Sequence, residues 1–299
     1  MSLGTGLTLG PFVSWFLNAV VGLNYMFTFF TFAGLIFVFG TILICAIPSR
    51  LDDYERFGDE EAPVDVPFGD FFKNTRVLMA LFAYFMAAVL LIFYDPILSL
   101  RIEALGLPEN QAGLGFSLMA FCFAFSSPFM GCLAEAVDKR LLIGGGFVGI
   151  TGSLYLTGGL SENSLAITFA GLGLNGVCIA CIFAPVIPEI VSTMQEDFQE
   201  RHNRELRGSA CARDSPTTEP LTKVVIPTTD VKTNIPDKGP ALAEMSFALG
   251  SIIGPILGGW LEDWDGFDFA VDVMGIVAYS FAILYFVVSV GCQCCCKKK

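Results

Sequence analysis

Apolar residues run in blocks along this chain. Eight blocks stand out, at 3–24, 25–47, 75–98, 112–136, 141–160, 164–192, 240–261 and 269–291. Each approaches the roughly 20 apolar residues that an α-helix needs to cross a bilayer core. The loop at 48–74 is charged and contains proline. The loop at 193–239 is long and polar, with Ser, Thr and Pro between Ser215 and Pro236, a pattern that predicts disorder. Neither loop reads as a folded domain. The first block lacks a basic leader and carries Pro11, so it does not read as a cleavable signal peptide.

Composition turns this pattern into a class. Of 299 residues, 54% are hydrophobic and 15% charged, with a mean hydropathy of +0.65, against about 25% charged in soluble domains. Disorder, collagen, a coiled coil and most water-soluble folds are excluded, and an all-α integral membrane protein is expected. The net charge of -12 argues against a nucleic-acid partner, because phosphate binding needs a basic face. Phe outnumbers Tyr and Trp, 29 to 7 and 3, as suits walls facing lipid. Cys45, Cys122, Cys132, Cys178 and Cys181 lie in apolar stretches and read as small packing residues, with no secreted disulfide pattern.

Positive charge predicts the orientation. Sixteen of the 17 Lys and Arg fall in four regions: Arg50 to Arg76, Lys139 and Arg140, Arg201 to Lys238, and Lys297 to Lys299. Eight alternating spans place all four on one face, which the positive-inside rule makes cytoplasmic. Only Arg101 falls opposite, where the loops are short and acidic, as at Glu262, Asp263, Asp265 and Asp268.

Inside the predicted spans lie the carboxylates Asp95, Glu189, Glu244 and Asp272, with no Lys, Arg or His well inside any span. An intramembrane acid is costly and faces a cavity, a partner or a proton path. Without a basic partner, its companion is a proton, a cation or a cationic substrate. Asp95 precedes Pro96, so the helix is expected to bend there and expose carbonyls. Glu189 follows Pro185 and Pro188, which read as a hinge or unwound turn, or as the end of a span. Glu244 reads as a site residue or as an interfacial acid at a helix start. Asp272 is most simply interfacial. His202 sits in a polar loop and needs no ligand role. No metal and no cofactor are expected, and the spans hold no nucleophile–base constellation, so no enzyme is expected.

Gly250, Gly254 and Gly258 share one helix face, which lets another backbone approach closely, with Pro255 adding a bend beside Gly259. Gly6, Gly10 and Pro11 repeat the theme weakly, as an internal repeat would. The tail places Cys292, Cys294, Cys295 and Cys296 beside three lysines, a pattern for S-acylation and anionic lipid. An unmodified helix end is the plainer alternative, and a zinc site fits the spacing less well.

These residues resemble a major facilitator superfamily transporter. The stretch Gly250–Gly259 is similar to the antiporter motif of the superfamily's eleventh helix, and Gly6–Pro11 to its counterpart in the fifth. The run from Gly131 through Glu135 and Asp138 to Lys139 and Arg140 resembles the charged conformational-switch motif between the eighth and ninth helices. It departs with Glu for the usual Asp, and with Asp138 where Gly is common. Phe93–Leu100, Ser126–Pro128, Pro185–Ile190 and Gly266–Ala270 look like the vesicular amine and polyamine transporter family. That resemblance implies a proton-coupled antiporter of a small organic cation working by alternating access, in an intracellular vesicle membrane. It implies that Asp95 attracts the amine, that Glu244 takes part in proton coupling, and that Glu189 matches a polyamine-type pattern.

A full member has twelve helices, and the resemblance covers helices five to twelve. Residues 1–47 are then the last two helices of the N-terminal half and 48–74 the central cytoplasmic loop. Residues 75–291 form the C-terminal six-helix half, including loop 193–239, and 292–299 the tail. The chain is expected to be N-terminally truncated. The rival expectation is a non-transporting membrane protein that regulates a full-length relative. Either way the lipid bilayer is a partner.

Overall fold

The computed structural model describes residues 10, 13–17, 25–46, 64–106, 112–158, 164–213 and 233–296, with backbone alone at 25, 112, 205–213 and 290–296. The helices are α1 (Tyr25–Ala46), α2 (Phe68–Lys73), α3 (Thr75–Ile92), α4 (Tyr94–Ala104), α5 (Ala112–Ala136), α6 (Lys139–Thr157), α7 (Leu165–Arg213) and α8 (Ile235–Cys296). Among the described residues, five helical stretches are long and apolar enough to cross a membrane: 26–46, 75–104, 113–136, 165–204 and 235–289. The difference from eight has three sources. The block at 3–24 lies almost wholly outside the described residues. α6 opens on Lys139 and Arg140 and is rich in glycine, so it lacks an unbroken apolar stretch as strong as those five. The last two blocks form one element, α8.

α8 is two arms folded back on each other. Its helical geometry breaks at Asp265 and at Gly266, which has φ 82°, a left-handed value that favours glycine. Gly250 and Gly258 of the first arm lie against Phe85 and Phe93 of the α3 segment. Phe281 of the second arm stacks edge-on to Phe82, centroids 5.3 Å apart. The chain must have reversed between them, as two separate spans require.

Local chemistry starts and stops these helices. Asn74 caps α3 by accepting from the Arg76 N–H at 3.0 Å, and Asp138 caps α6 by accepting from the Arg140 N–H at 3.1 Å, each satisfying an orphan donor of a first turn. Phe93 sits between α3 and α4 in αR geometry, its N–H bonded to Val89 O at 3.0 Å. The expected bend is therefore slight, and Pro96 falls in the first turn of α4, where a missing N–H costs little. Gly106, with φ 86°, follows the end of α4. Pro185 and Pro188 leave α7 helical along its length, so the expected unwound turn is not formed. The loop expected at 193–239 is corrected in the same way: α7 runs on to Arg213 and α8 begins at Ile235, while 214–232 lie outside the described residues.

Packing follows the small residues. A Cβ at Gly250 would stand 2.6 Å from Phe85 O, at Gly254 2.9 Å from Val89 O, and at Gly258 2.3 Å from Phe93 O. Backbone meets backbone over three turns, so α3 and the first arm of α8 run parallel. Gly259 meets nothing within 4 Å and is not part of this face. Gly146, Gly149 and Gly171 seat α6 against α7, and Gly176 seats α7 on Met119 of α5. In lipid, where apolar surface gains little from burial against another helix, such close contact supplies the attraction. Cys178 and Cys181 take part in this packing, whereas Cys45 and Cys132 are exposed. α1 is apolar along its length and, Thr28 apart, largely exposed, as a helix among lipids or partner helices would be.

The polar ends differ. At a basic end, residues 64–66 form an isolated parallel bridge with Thr233 (Val64↔Thr233). Asn234 Oδ1 accepts from the Val66 N–H at 2.9 Å, and the Asn234 amide donates to Asp65. Lys238 Nζ reaches Asp65 Oδ1 at 2.5 Å and Val66 O at 2.7 Å, and lies 4.8 Å above the Phe68 ring. Arg201 joins Asp197 at 2.7 Å and Asp70 at 3.7 Å. The segment leading into α3 is thereby tied to α7 and to the start of α8. At the acidic end, Arg101 reaches Asp268 at 3.4 Å and lies over the Phe267 ring at 5.2 Å.

Two outcomes are expected. Gly258→Ala should cost about 1–3 kcal/mol through backbone overpacking, read as thermal stability in detergent, whereas Gly259→Ala should change little. The Lys238 ammonium and the Asn234 amide hold the Asp65 carboxyl below its ordinary 3.8. The clasp is therefore present above that value and lost as the pH falls through the lowered one. Asp65→Asn should speed amide hydrogen exchange at Val66 near neutrality, and the difference from wild type should vanish once the pH falls below the lowered value.

Candidate functional site

Two of the acids singled out from the sequence stay open. Asp95 occupies the first turn of α4 and is exposed. Its turn is held by the glycine face, since a Cβ at Gly258 would meet Phe93 O and would come within 3.4 Å of Pro96 Cγ. Glu244 lies in the first arm of α8, also exposed and near Tyr84 of α3. Among the described residues, no Lys or Arg forms an ion pair with either. Asp272 is half-buried, and its Oδ1 has no hydrogen-bond partner among the described residues.

Glu189 is different, and the premise of no basic partner fails for it. Arg140 Nε donates to Glu189 Oε1 at 2.7 Å, with side chains only 9% and 10% exposed. Thr193 Oγ1 donates to the same oxygen at 3.4 Å, and Lys139 Nζ reaches Pro188 O at 3.3 Å and Ser192 Oγ at 3.2 Å. Hydropathy put Arg140 in a loop. The Asp138 cap turns α6 inward at that residue, so the guanidinium enters the α6–α7 seam instead of solvent. Asp138, Lys139 and Arg140 thus form one unit with the end of the α7 apolar run. Glu135 is exposed and Gly131 meets nothing within 4 Å, so neither shares these contacts.

Sequence reading missed an aromatic cluster beside Glu244. Tyr84 and Phe183 pack edge-on at 4.6 Å, Phe183 and Phe247 at 5.8 Å, and Phe123 and Phe183 at 5.9 Å. These rings come from α3, α5, α7 and α8. Nothing along the chain marks them among its 29 Phe; only the fold brings them together. Arg101 was visible as the basic residue of the acidic end, though its contact with Asp268 was not. His202 stacks on Phe198, centroids 6.3 Å apart, and helps line a cavity of about 410 Å³ with Val64, Asp70 and Arg201. That cavity belongs to the basic end, away from Asp95.

Other sites fall partly out of view. Gly6 and Pro11 lie outside the described residues, and Gly10 meets nothing within 4 Å. Cys292, Cys294, Cys295 and Cys296 continue α8, but their side chains are outside the description. Buried hydroxyls of the spans mostly bond their own helix: Ser117 to Gly113 O at 2.6 Å, Thr151 to Phe147 O at 3.1 Å and Thr157 to Ser153 O at 2.7 Å. Such groups are satisfied without a ligand.

No protein-family model matches the chain. It is similar to the human (Homo sapiens) MFS-type transporter SLC18B1, 26% identical over 283 residues, or 92% of this chain and 53% of that relative. It is similar also to the mouse (Mus musculus) MFS-type transporter SLC18B1, 24% identical over 281 residues, or 91% and 52%. The chain spans about half the length of the curated relatives it matches. An all-α, multi-pass membrane helix bundle with homology along nine-tenths of its length defines the class: the chain is a homologue of major facilitator superfamily transporters. The two relatives it resembles are both SLC18B1.

The buried ion pair has a clear signature. Glu189→Gln or Arg140→Gln leaves one buried charge uncompensated, which should cost about 3–5 kcal/mol. The double variant Arg140→Met/Glu189→Leu should melt closer to wild type than either single variant, as measured by thermal unfolding in detergent.

Proposed function

We propose that the chain contributes to a secondary active carrier that exchanges a small organic cation, an amine or polyamine, for protons. The observation that supports this most is the contrast among its acids. Glu189 has Arg140, while Asp95 and Glu244 have no basic partner among the described residues. An unpaired carboxylate within a membrane span favours either a proton or a cation close by. Occupancy by one then disfavours the other, and this mutual exclusion is the coupling that an exchanger needs.

Asp95 would hold the ammonium group and Glu244 would take part in proton binding. Tyr84, Phe183 and Phe247 beside Glu244 offer ring faces of the kind that attract organic cations. The Arg140–Glu189 pair would fix the basic end of the α6–α7 seam. By the positive-inside rule that end faces the cytoplasm, and the resemblance points to an intracellular vesicle membrane. The glycine face would let α3 and α8 move as one body, as rocking-bundle transport requires.

The half-length match supports a second reading. The chain would associate with a full-length relative and regulate it without transporting. Co-purification with that relative, together with no uptake by the chain alone, would favour this reading.

The carrier reading has a direct test. Membranes containing the full chain should take up a labelled amine when a proton gradient is imposed. Asp95→Asn should reduce this uptake to background while leaving membrane insertion unchanged. Uptake at the wild-type rate in Asp95→Asn would remove Asp95 from the site.

A further inference from the structure

We infer that Trp260 and Trp264 form a docking surface for zwitterionic phospholipid at the acidic end of the bundle, which fixes the depth of α8 in the bilayer. The two rings stand one turn apart on the first arm of α8, their centroids separated by 4.6 Å. They are 51% and 65% exposed. They end a stripe that begins at Met245 and runs through Leu249, Ile252 and Ile256, all of them exposed. This stripe lies on the side of the arm away from Gly250, Gly254 and Gly258, which meet the backbone between Phe85 and Phe93.

The order of chemistry along the stripe identifies its occupant. Aliphatic side chains come first, then the two indoles, then the exposed carboxylates Asp263 and Asp265. A bilayer has the same order from its acyl chains through its headgroups to water. Trp favours the middle layer because its ring is apolar and its N–H is polar. A partner helix would call for small residues on the contacting face, and this arm carries its glycines on the opposite side. Charge then selects the headgroup. Among the described residues, neither Asp263 nor Asp265 forms an ion pair with Lys or Arg. A lipid of net negative charge is repelled there. The ammonium end of a zwitterionic lipid instead meets carboxylates and indole faces.

The surface also serves as a depth marker, and it does not rest on the carrier reading given above. Residues 244 and 260 are 16 positions apart, about 24 Å at 1.5 Å per residue. With Trp260 at the boundary of a hydrocarbon core roughly 30 Å thick, Glu244 lies near the far boundary. Asp95 lies level with Gly258, because the Phe93–Pro96 turn packs on that glycine. It is therefore within about one turn of the Trp pair. The two open acids lie in opposite leaflets, about 21 Å apart along the bundle.

Fluorescence tests the surface. The chain has 3 Trp, so Trp15→Phe leaves this pair as the only indole emitters. The full chain is placed in phosphatidylcholine vesicles. Phosphatidylcholine spin-labelled at its headgroup should quench the pair, and the same lipid labelled at the acyl terminus should leave it nearly unquenched. The headgroup-labelled lipid should compete about 2- to 5-fold better against phosphatidylglycerol than against unlabelled phosphatidylcholine. Asp263→Asn/Asp265→Asn should remove most of that difference. If Trp15→Phe fails to insert, the difference between wild type and Trp260→Phe/Trp264→Phe reads the same two rings. Stronger quenching by the acyl-terminal label, or quenching by aqueous iodide alone, would overturn the surface. So would protection from all three quenchers, which would mean that a second copy or another protein covers the rings. Equal competition by the two lipids would overturn the choice of headgroup. None of these readings needs transport activity, so failure of the carrier reading would not register in them.

Discussion

Direct contact between two backbones is the constraint on which the rest of this bundle depends. Over three turns, Gly250, Gly254 and Gly258 bring α8 onto the main chain of α3 and of Phe93 just beyond it. Any side chain on that stripe would stand inside the van der Waals surface of a carbonyl. In a bilayer the gain comes from dispersion at short range, not from expelling water. The same contact determines what lies beside it. It holds the Phe93–Pro96 turn that carries Asp95, and it sets the height of α8 at which Glu244 comes beside Tyr84.

Charge is then distributed by need. Arg140 with Glu189 at one end, and Arg101 with Asp268 at the other, show how this chain treats ionic groups that brace helices. Each has an opposite charge within 4 Å and sits near the limit of an apolar run, where water is close enough to reduce the cost of desolvation. Asp95 and Glu244 do not follow that pattern. The contrast within one bundle is more informative than the presence of intramembrane acids alone, because it separates groups used for packing from groups left available.

Much of this was readable along the chain, and the failures have physical causes. The apolar blocks, the glycine face and the turn at Gly266 were legible because each is local: a window of residues determines it. Arg140 was misplaced because hydropathy averages over a window and cannot show a capped helix start turning one side chain inward. The stretch after Met194 read as a loop because its residues are polar. Polarity reports solvent, not helicity, and ion pairs such as Arg204 with Glu200 at 2.5 Å sustain a helix in water. The pair of prolines read as a hinge or unwound turn because each removes a donor, yet α7 stays helical through both. The aromatic cluster joins four helices, and such convergence is invisible without the fold.

The length of α7 has a mechanical side. Its 49 residues extend about 74 Å at 1.5 Å per residue, more than twice the roughly 30 Å depth of the hydrocarbon core. The part beyond the apolar run is a rod about as long as the membrane is thick, tethered near its base to Asp70 through Arg201. A tilt of about 10° in the bilayer would swing a point about 30 Å along that rod sideways by about 5 Å. A small reorientation among buried helices thus becomes, in the aqueous phase, a displacement wide enough for another molecule to detect.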